Sequence, residues 1–175
     1  MVSGIFAGHG CWTGRCRRGD QFNPKGYFEN LDIKKFIKEH FWMKKRRRNT
    51  DEFVKYVKTL LENDEKYTGG PWLVKHGAPV WWIWESFDPI YVNVRREWKD
   101  SQKSRERALM PMNDQIWNRH LDAFVETKAR GAVEIWPDKF KDGDFSELKA
   151  AIEHCGLTYN QELVDNFYVR EHWHS

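Results

Sequence analysis

Apolar residues follow the helical period in several parts of the chain. In residues 50–62 they fall at positions i, i+1, i+4, i+7 and i+8, so they share one face of a helix. Asn49 precedes the acidic first turn of this segment and favours a helix start there. Similar patterns, punctuated by proline and glycine, predict helices at residues 79–85, 95–107, 114–127, 146–154 and 161–171.

Three short segments between these helices are rich in β-branched and aromatic residues. They are residues 72–74, 90–94 and 131–136, and each is bounded by glycine or proline. Because strands and helices alternate along the chain, the predicted fold class is α/β, with a small parallel sheet flanked by helices. We expect residues 1–175 to form a single domain.

The composition indicates a packed globular protein. Aromatic residues make up 15% of the 175 residues, and ten of them are Trp, which argues against disorder. The chain has 29 Lys and Arg against 26 Asp and Glu. The resulting net charge of +3 implies no general nucleic-acid partner, so an anion site would require local clustering of cations.

Membrane insertion and metal binding are not expected. The longest apolar run, residues 80–84, is far shorter than the roughly 18 residues of a membrane span. Residues 1–10 lack the basic and apolar regions of a signal peptide, so we expect a cytoplasmic protein. Cys11, Cys16 and Cys155 form no CxxC pair, which predicts reduced thiols and no metal site.

Cationic residues directly follow two of the candidate strands. Lys75 ends the first, while Arg95 and Arg96 end the second, with Ser104 in the helix that comes next. Open α/β sheets bind ligands at the carboxyl ends of their strands. A guanidinium and a hydroxyl that converge there suit a phosphate, so we predict that one of the arginines meets Ser104 in a pocket for a doubly charged anion. The alternative is a solvated helix face.

A longer motif resembles a known family. Residues 23–30 read NPKGYFEN, and this octapeptide resembles a segment of the P-loop sulfotransferase family of phages and bacteria. Later motifs follow in the family's order: PWLVK at residues 71–75 is similar to its strand ending in lysine, and residues 92–104 are similar to its 3′-phosphate-binding strand and helix. The similarity extends over residues 4–175.

The resemblance implies a P-loop NTPase-like sulfotransferase fold with 3′-phosphoadenosine 5′-phosphosulfate (PAPS) as cofactor. The expected reaction moves the sulfuryl group to a hydroxyl or amine of a small molecule or glycan. Arg95 or Arg96, together with Ser104, would bind the 3′-phosphate of the cofactor, and Lys75 would lie near the sulfuryl group. Glu29 would orient or deprotonate the acceptor, or else serve only as a hydrogen-bonding group of its turn.

The chain departs from the family pattern in three ways. His76 stands where the family usually has Asp, and Glu97 stands where it has Pro, which leaves the arginine register open. The loop that cradles the phosphosulfate is not recognisable, and residues 1–9 resemble the helix that follows it. We therefore expect an N-terminally truncated fold with impaired catalysis, or a non-catalytic nucleotide-binding or hetero-oligomer module.

One basic cluster, residues 44–48, lies outside these motifs. It could contact nucleic acid, an import receptor or a cofactor phosphate. No aromatic residues alternate with its cations, so a solvated helix end is the preferred interpretation and a nucleic-acid partner is not expected.

Overall fold

Helices make up most of the described chain. A computed structural model describes residues 1–20, 23, 25–42, 50–107 and 113–168. The α-helices are α1 (Val2–Gly8), α2 (Leu31–Ile37), α3 (Asp51–Asn63), α4 (Trp98–Arg107), α5 (Asp114–Lys128), α6 (Ser146–His154) and α7 (Gln161–Phe167). The remaining elements are a π-helical turn (Lys38–Trp42), 3₁₀ helices at Ala78–Phe87 and Pro137–Asp142, and strands β1 (Val92–Val94) and β2 (Val133–Ile135).

β1 and β2 form a parallel two-stranded sheet. Val92 pairs with Val133, and Val94 pairs with Ile135. The N–H of Arg95 continues the ladder by donating to the carbonyl of Ile135 at 2.8 Å. The mixed α/β class with a small parallel sheet is therefore confirmed.

Among the residues that the structure describes, the predicted strand at residues 72–74 forms a single parallel bridge, between Trp12 and Trp72. The N–H of Trp12 donates to the Pro71 carbonyl at 2.9 Å, and the N–H of Leu73 donates to the Trp12 carbonyl at 2.8 Å. Pairing does not continue because Gly14 adopts a φ of +65° and turns the partner segment away.

Two apolar clusters lie on either side of the extended segments. Cluster A is built from α1, β2, α6 and α7, and cluster B from α2, α3 and the Ala78–Phe87 helix. Leu73 and Val92 pack against cluster A, whereas their neighbours in sequence pack against cluster B. Successive residues of an extended chain point to opposite faces, so these segments form a layer between two helical layers. The neighbours that contact cluster B are Trp72, Val74 and Tyr91.

Most predicted helices are confirmed, with three differences in type or start. The helix predicted over residues 95–107 begins only at Trp98, because Arg95 still pairs with β2 through its N–H. Residues 79–85 lie in the 3₁₀ helix Ala78–Phe87, which has Pro79 as its second residue and Asp88, in the left-handed region at φ 48°, as its C-cap. Its Trp81 and Trp84 are buried, and Trp82 is half-buried. The α3 helix begins after Thr50, without a side-chain cap, and Asn49 lies outside the described residues.

Helix α7 ends at Phe167, and the rest of the predicted segment 161–171, beyond residue 168, lies outside the described chain. Within the described ranges no helix is long and apolar enough to cross a membrane. Cys11, Cys16 and Cys155 are free thiols.

Candidate functional site

Glu29 is held in place by the turn that precedes α2. Gly26 at φ +93° and Phe28 at φ +52° bend the chain, and the side chain of Asn30 caps α2 by accepting from two backbone N–H groups. A positive φ is costly for a phenylalanine, by about 1–3 kcal/mol. Edge-to-face packing of Phe28 on Phe167, with ring centroids 5.7 Å apart, holds this conformation. The turn therefore fixes the backbone position of Glu29 next to a capped helix.

Lys75 approaches Glu29 from the end of the 72–74 segment. Its Nζ lies 3.6 Å from Glu29 Oε1 and donates to the carbonyl of Tyr27 at 3.1 Å. A second ammonium group, that of Lys34, is hydrogen-bonded to the other oxygen of Glu29. The two residues predicted to be catalytic, Glu29 and Lys75, thus lie together although they are distant in sequence.

Charges near Glu29 and Lys75 shift the pKa values of both residues. Burial disfavours ionisation of Glu29, but hydrogen bonds and charges from Lys34 and Lys75 outweigh it and hold the pKa of Glu29 below its usual value. Burial lowers the pKa of Lys75, and Glu29 offsets only part of that effect. Glu29 is consequently ionised at neutral pH and is a weaker base than a free carboxylate.

Further cations surround the amino group of Met1 at the start of α1. Burial, followed by the charges of Lys75, Arg96 and Lys25, lowers the pKa of this amino group to about 6. Arg96 is also close enough to lower the pKa of Lys75. Lys25 is anchored by a hydrogen bond to the Asn166 carbonyl. Positive charge is therefore concentrated near the start of α1, and Lys25, Lys75 and Arg96 are called the cation cluster below.

Arg95 and Arg96 have different environments. Arg95 donates to Glu134 on β2 at 2.7 Å, and its guanidinium lies 4.7 Å and 5.1 Å from the ring centroids of Phe124 and Trp136. Arg96 is exposed and forms no hydrogen bond or ion pair with the residues that the structure describes. Of the two predicted phosphate-binding arginines, Arg96 is the one whose guanidinium is available to a ligand.

Ser104 and His76 complete the set of residues discussed from the sequence. Ser104 lies in α4 and is half-buried, and its convergence with Arg96 stays a prediction. His76 is half-buried, and burial lowers its pKa, so the ring is neutral at pH 7. Lys25 and Lys34 were not predicted as site residues; Lys25 lies inside the motif at residues 23–30, which is the signal that could have identified it.

An open groove of about 710 Å³ lies at the other end of α1. Its only imidazole, His9, donates from Nδ1 to the Ile5 carbonyl at 2.7 Å and accepts at Nε2 from the N–H of Asn160 at 3.1 Å. Both ring nitrogens are thus engaged, Nδ1 within α1 itself and Nε2 in a hydrogen bond that joins the end of α1 to the start of α7. We assign no chemistry to this groove, despite its size, because its histidine has a structural role.

The described ranges contain no group of three or more His, Cys, Asp or Glu side chains that could hold a metal ion. The basic cluster at residues 44–48 lies outside these ranges. The chemistry available at the candidate site is therefore that of the cation cluster and Glu29.

Comparison with known proteins adds no information on the function of this site. No family model, curated protein or solved structure matched the sequence. The resemblance to sulfotransferases therefore has no support from these comparisons and stays a hypothesis.

Proposed function

We propose that the chain binds PAPS at the cation cluster and transfers its sulfuryl group to a hydroxyl or amine acceptor. The fold would then be a variant of the P-loop sulfotransferase fold. The acceptor would be a small molecule or glycan, as the resemblance implies, and it would approach Glu29, whose half-buried side chain lies beside Lys75.

The observation that carries the proposal is that Lys75 and Arg96 follow the carboxyl ends of two extended segments and that Lys25 adds positive charge near the Met1 amino group, on which all three act. A cofactor with phosphate groups needs several cations on one side of the fold, and such sites form at this edge of α/β sheets. Arg96 suits a planar, two-pronged contact with a phosphate, and Lys75 suits a single charge contact.

Each residue has a distinct role in this scheme. The bound cofactor supplies the activated sulfuryl group. Lys75 holds a positive charge where negative charge develops on the leaving phosphate. Glu29, ionised at neutral pH, orients the acceptor and takes the proton that its hydroxyl or amine loses.

A non-catalytic nucleotide-binding module, alone or within a hetero-oligomer, is the second candidate. It is favoured by the contacts of Glu29, which is already hydrogen-bonded to Lys34 and paired with Lys75. A carboxylate with two ammonium partners and a lowered pKa accepts a proton less readily. In such a module the cation cluster would bind nucleotide, and Glu29 would only hold the lysines in place.

Calorimetric titration with 3′-phosphoadenosine 5′-phosphate tests the binding step, which both candidates share. Arg96→Ala and Lys75→Ala should each weaken binding by about tenfold or more, because a hydrogen bond to a charged group contributes about 1.5–3 kcal/mol. Ser104→Ala should weaken it by a smaller factor. Lys99→Ala is the matched control, since Lys99 is an exposed cation of the adjacent helix.

Binding that is undetectable at about 1 mM nucleotide, or equally weakened by Lys99→Ala, would reject both candidates. Transfer of labelled sulfate from PAPS to a phenol and to a hexosamine oligomer then separates them. Transfer that falls at least about 100-fold in Glu29→Gln while nucleotide affinity stays unchanged indicates the enzyme. Tight binding without transfer indicates the module.

A further inference from the structure

The open groove at the end of α1 has an uncharged lining, which suits binding rather than catalysis. Its volume of about 710 Å³ lies within the range of about 300–1,000 Å³ that is typical of ligand sites. Among the described residues that line it, none is Asp, Glu, Lys or Arg, although these types make up 31% of the chain. An ion would find no counter-charge in this lining, so the groove fits a neutral ligand.

One wall of the groove offers hydrogen-bond acceptors. It is formed by Gly8, His9 and Gly10, where α1 ends. The carbonyls of Gly8 and His9 accept no hydrogen bond from a backbone N–H of the described chain. A Cβ atom at Gly10 would have no heavy atom within 4 Å apart from its chain neighbours, so a ligand can approach this backbone closely. The wall therefore presents carbonyl oxygens to a ligand that donates hydrogen bonds.

A second wall offers hydrogen-bond donors. It is formed by residues 158–161, which lead into α7. The N–H groups of Glu162 and Leu163 donate to Asn160 Oδ1 at 2.9 Å and 3.4 Å, which fixes the plane of this side-chain amide. The NH₂ group of Asn160 and the hydroxyl of Thr158 form no hydrogen bond with any residue that the structure describes. Both groups are thus available to a ligand.

Tyr159 adds an aromatic ring whose position is fixed. The ring packs against cluster A, and its centroid lies 6.2 Å from that of His9. Its hydroxyl donates to Gln161 Oε1 at 2.7 Å, and Gln161 Nε2 donates to Asp165 Oδ1 at 2.7 Å. These contacts hold the ring and the Gln161 amide in one arrangement before a ligand binds, which reduces the entropy lost on binding.

We propose that this groove binds neutral sugar units of an oligosaccharide. Each hydroxyl of a sugar both donates and accepts hydrogen bonds, so it matches a groove with carbonyls on one wall and hydroxyl and amide donors on the other. The C–H face of a sugar ring packs on the apolar surfaces of Tyr159 and Leu163. Because the groove is open, a longer saccharide chain can continue beyond it. The proposal does not depend on nucleotide binding at the cation cluster, which surrounds the other end of α1.

Two-dimensional NMR of the full chain labelled with ¹⁵N tests this binding. The probes are the neutral trimers of glucose, galactose, mannose and N-acetylglucosamine, each at about 10 mM. We expect at least one trimer to shift the backbone amide signals of Gly8, Gly10 and Gln161 until they saturate. The signal of Thr68, an exposed residue outside the groove, should not move. Glycerol is the control for unspecific binding of hydroxyl groups, and adenosine represents neutral ligands of another class.

Two variants locate the binding site, each with a matched control. Thr158→Val removes a hydroxyl at an exposed position and should weaken binding of the trimer about three- to tenfold, whereas Thr68→Val should leave binding unchanged. Asn160→Asp keeps an oxygen that caps α7 but removes the NH₂ donor, and it should weaken binding by a similar factor. Asn118→Asp, at an exposed residue of α5, is its control. The circular dichroism of all four variants should match that of the parent chain.

Several outcomes would overturn the proposal. One is that none of the four trimers shifts the groove amides. Another is that glycerol shifts them as strongly as the trimers do. A third is that Thr68→Val and Asn118→Asp weaken binding as much as the groove variants. Saturable shifts with adenosine but with no trimer would assign the groove to a nucleoside and reject the saccharide.

Discussion

Replacement of Arg95 by alanine should destabilise the fold, whereas the same replacement at Arg96 should not. Arg95 and its partner Glu134 are only 21% and 23% exposed in their side chains. Arg95→Ala removes a charge-assisted hydrogen bond, which contributes about 1.5–3 kcal/mol, and two cation–π contacts of about 0.5–1 kcal/mol each.

Two features reduce this sum. About a fifth of each side chain is in contact with solvent, which screens the pair, and Lys128 lies 3.7 Å from Glu134 and can replace part of the lost charge. We therefore expect a loss of about 2–3 kcal/mol in the free energy of unfolding. For a chain of this length such a loss lowers the melting temperature by about 4–12 °C.

Urea unfolding followed by tryptophan fluorescence measures the difference. Arg96→Ala is the matched control and should change stability by less than about 0.5 kcal/mol, because Arg96 is exposed. A double-mutant cycle with Glu134→Gln should give a coupling energy of about 1–2 kcal/mol. Equal destabilisation by the two arginine variants, or no coupling with Glu134, would refute the assignment of Arg95 to the fold.

Three further predictions concern packing and titration. Gly4→Ala should destabilise the chain by about 1–3 kcal/mol in thermal unfolding, because its Cβ would lie 2.2 Å from Phe167 Cε1, whereas Gly8→Ala, with 3.8 Å to the same ring, should be neutral or stabilising; equal effects would contradict this packing. Burial, and then Cys155, raises the pKa of the Cys11 thiol to about 11, so the folded state resists its ionisation and stability should fall as pH rises from about 8.5 toward 11. Urea unfolding across this range should show a smaller loss in Cys11→Ser, and an unchanged slope would count against a buried thiol. Burial, and then Glu85, raises the pKa of Tyr91 to about 12, so absorbance at alkaline pH should show one tyrosine titrating late, and this signal should be missing in Tyr91→Phe.

The sequence predicted the helices well because their buried apolar residues recur with the helical period. Helix α3 illustrates this, since Phe53 and Val57, which share one face of the predicted helix, are both fully buried. The short extended segments were less predictable. Whether residues 72–74 pair over one residue or several depends on where Gly14 turns the partner segment, and this is a long-range property with no local signal in residues 72–74.

The candidate site was likewise predictable only in part. The motif at residues 23–30 and the lysine after a strand identified Glu29 and Lys75, which the fold brings within 3.6 Å. Lys34 was not identified, because its contact with Glu29 depends on how the Asn30 cap sets the start of α2. The sequence also did not show which arginine is available to a ligand, because both follow the same strand.

Strand geometry decides between the two arginines. Successive residues of a strand point to opposite faces, so two adjacent arginines cannot both reach one ligand from a regular strand end. Arg95 still belongs to the ladder through its N–H bond to Ile135, and its side chain is held by Glu134 and two aromatic rings. Arg96 is the first residue beyond the ladder, close to Lys75. Loss of nucleotide binding in Arg95→Ala would therefore report a local rearrangement at the end of β1, and Arg96→Ala is the direct test of the anion site.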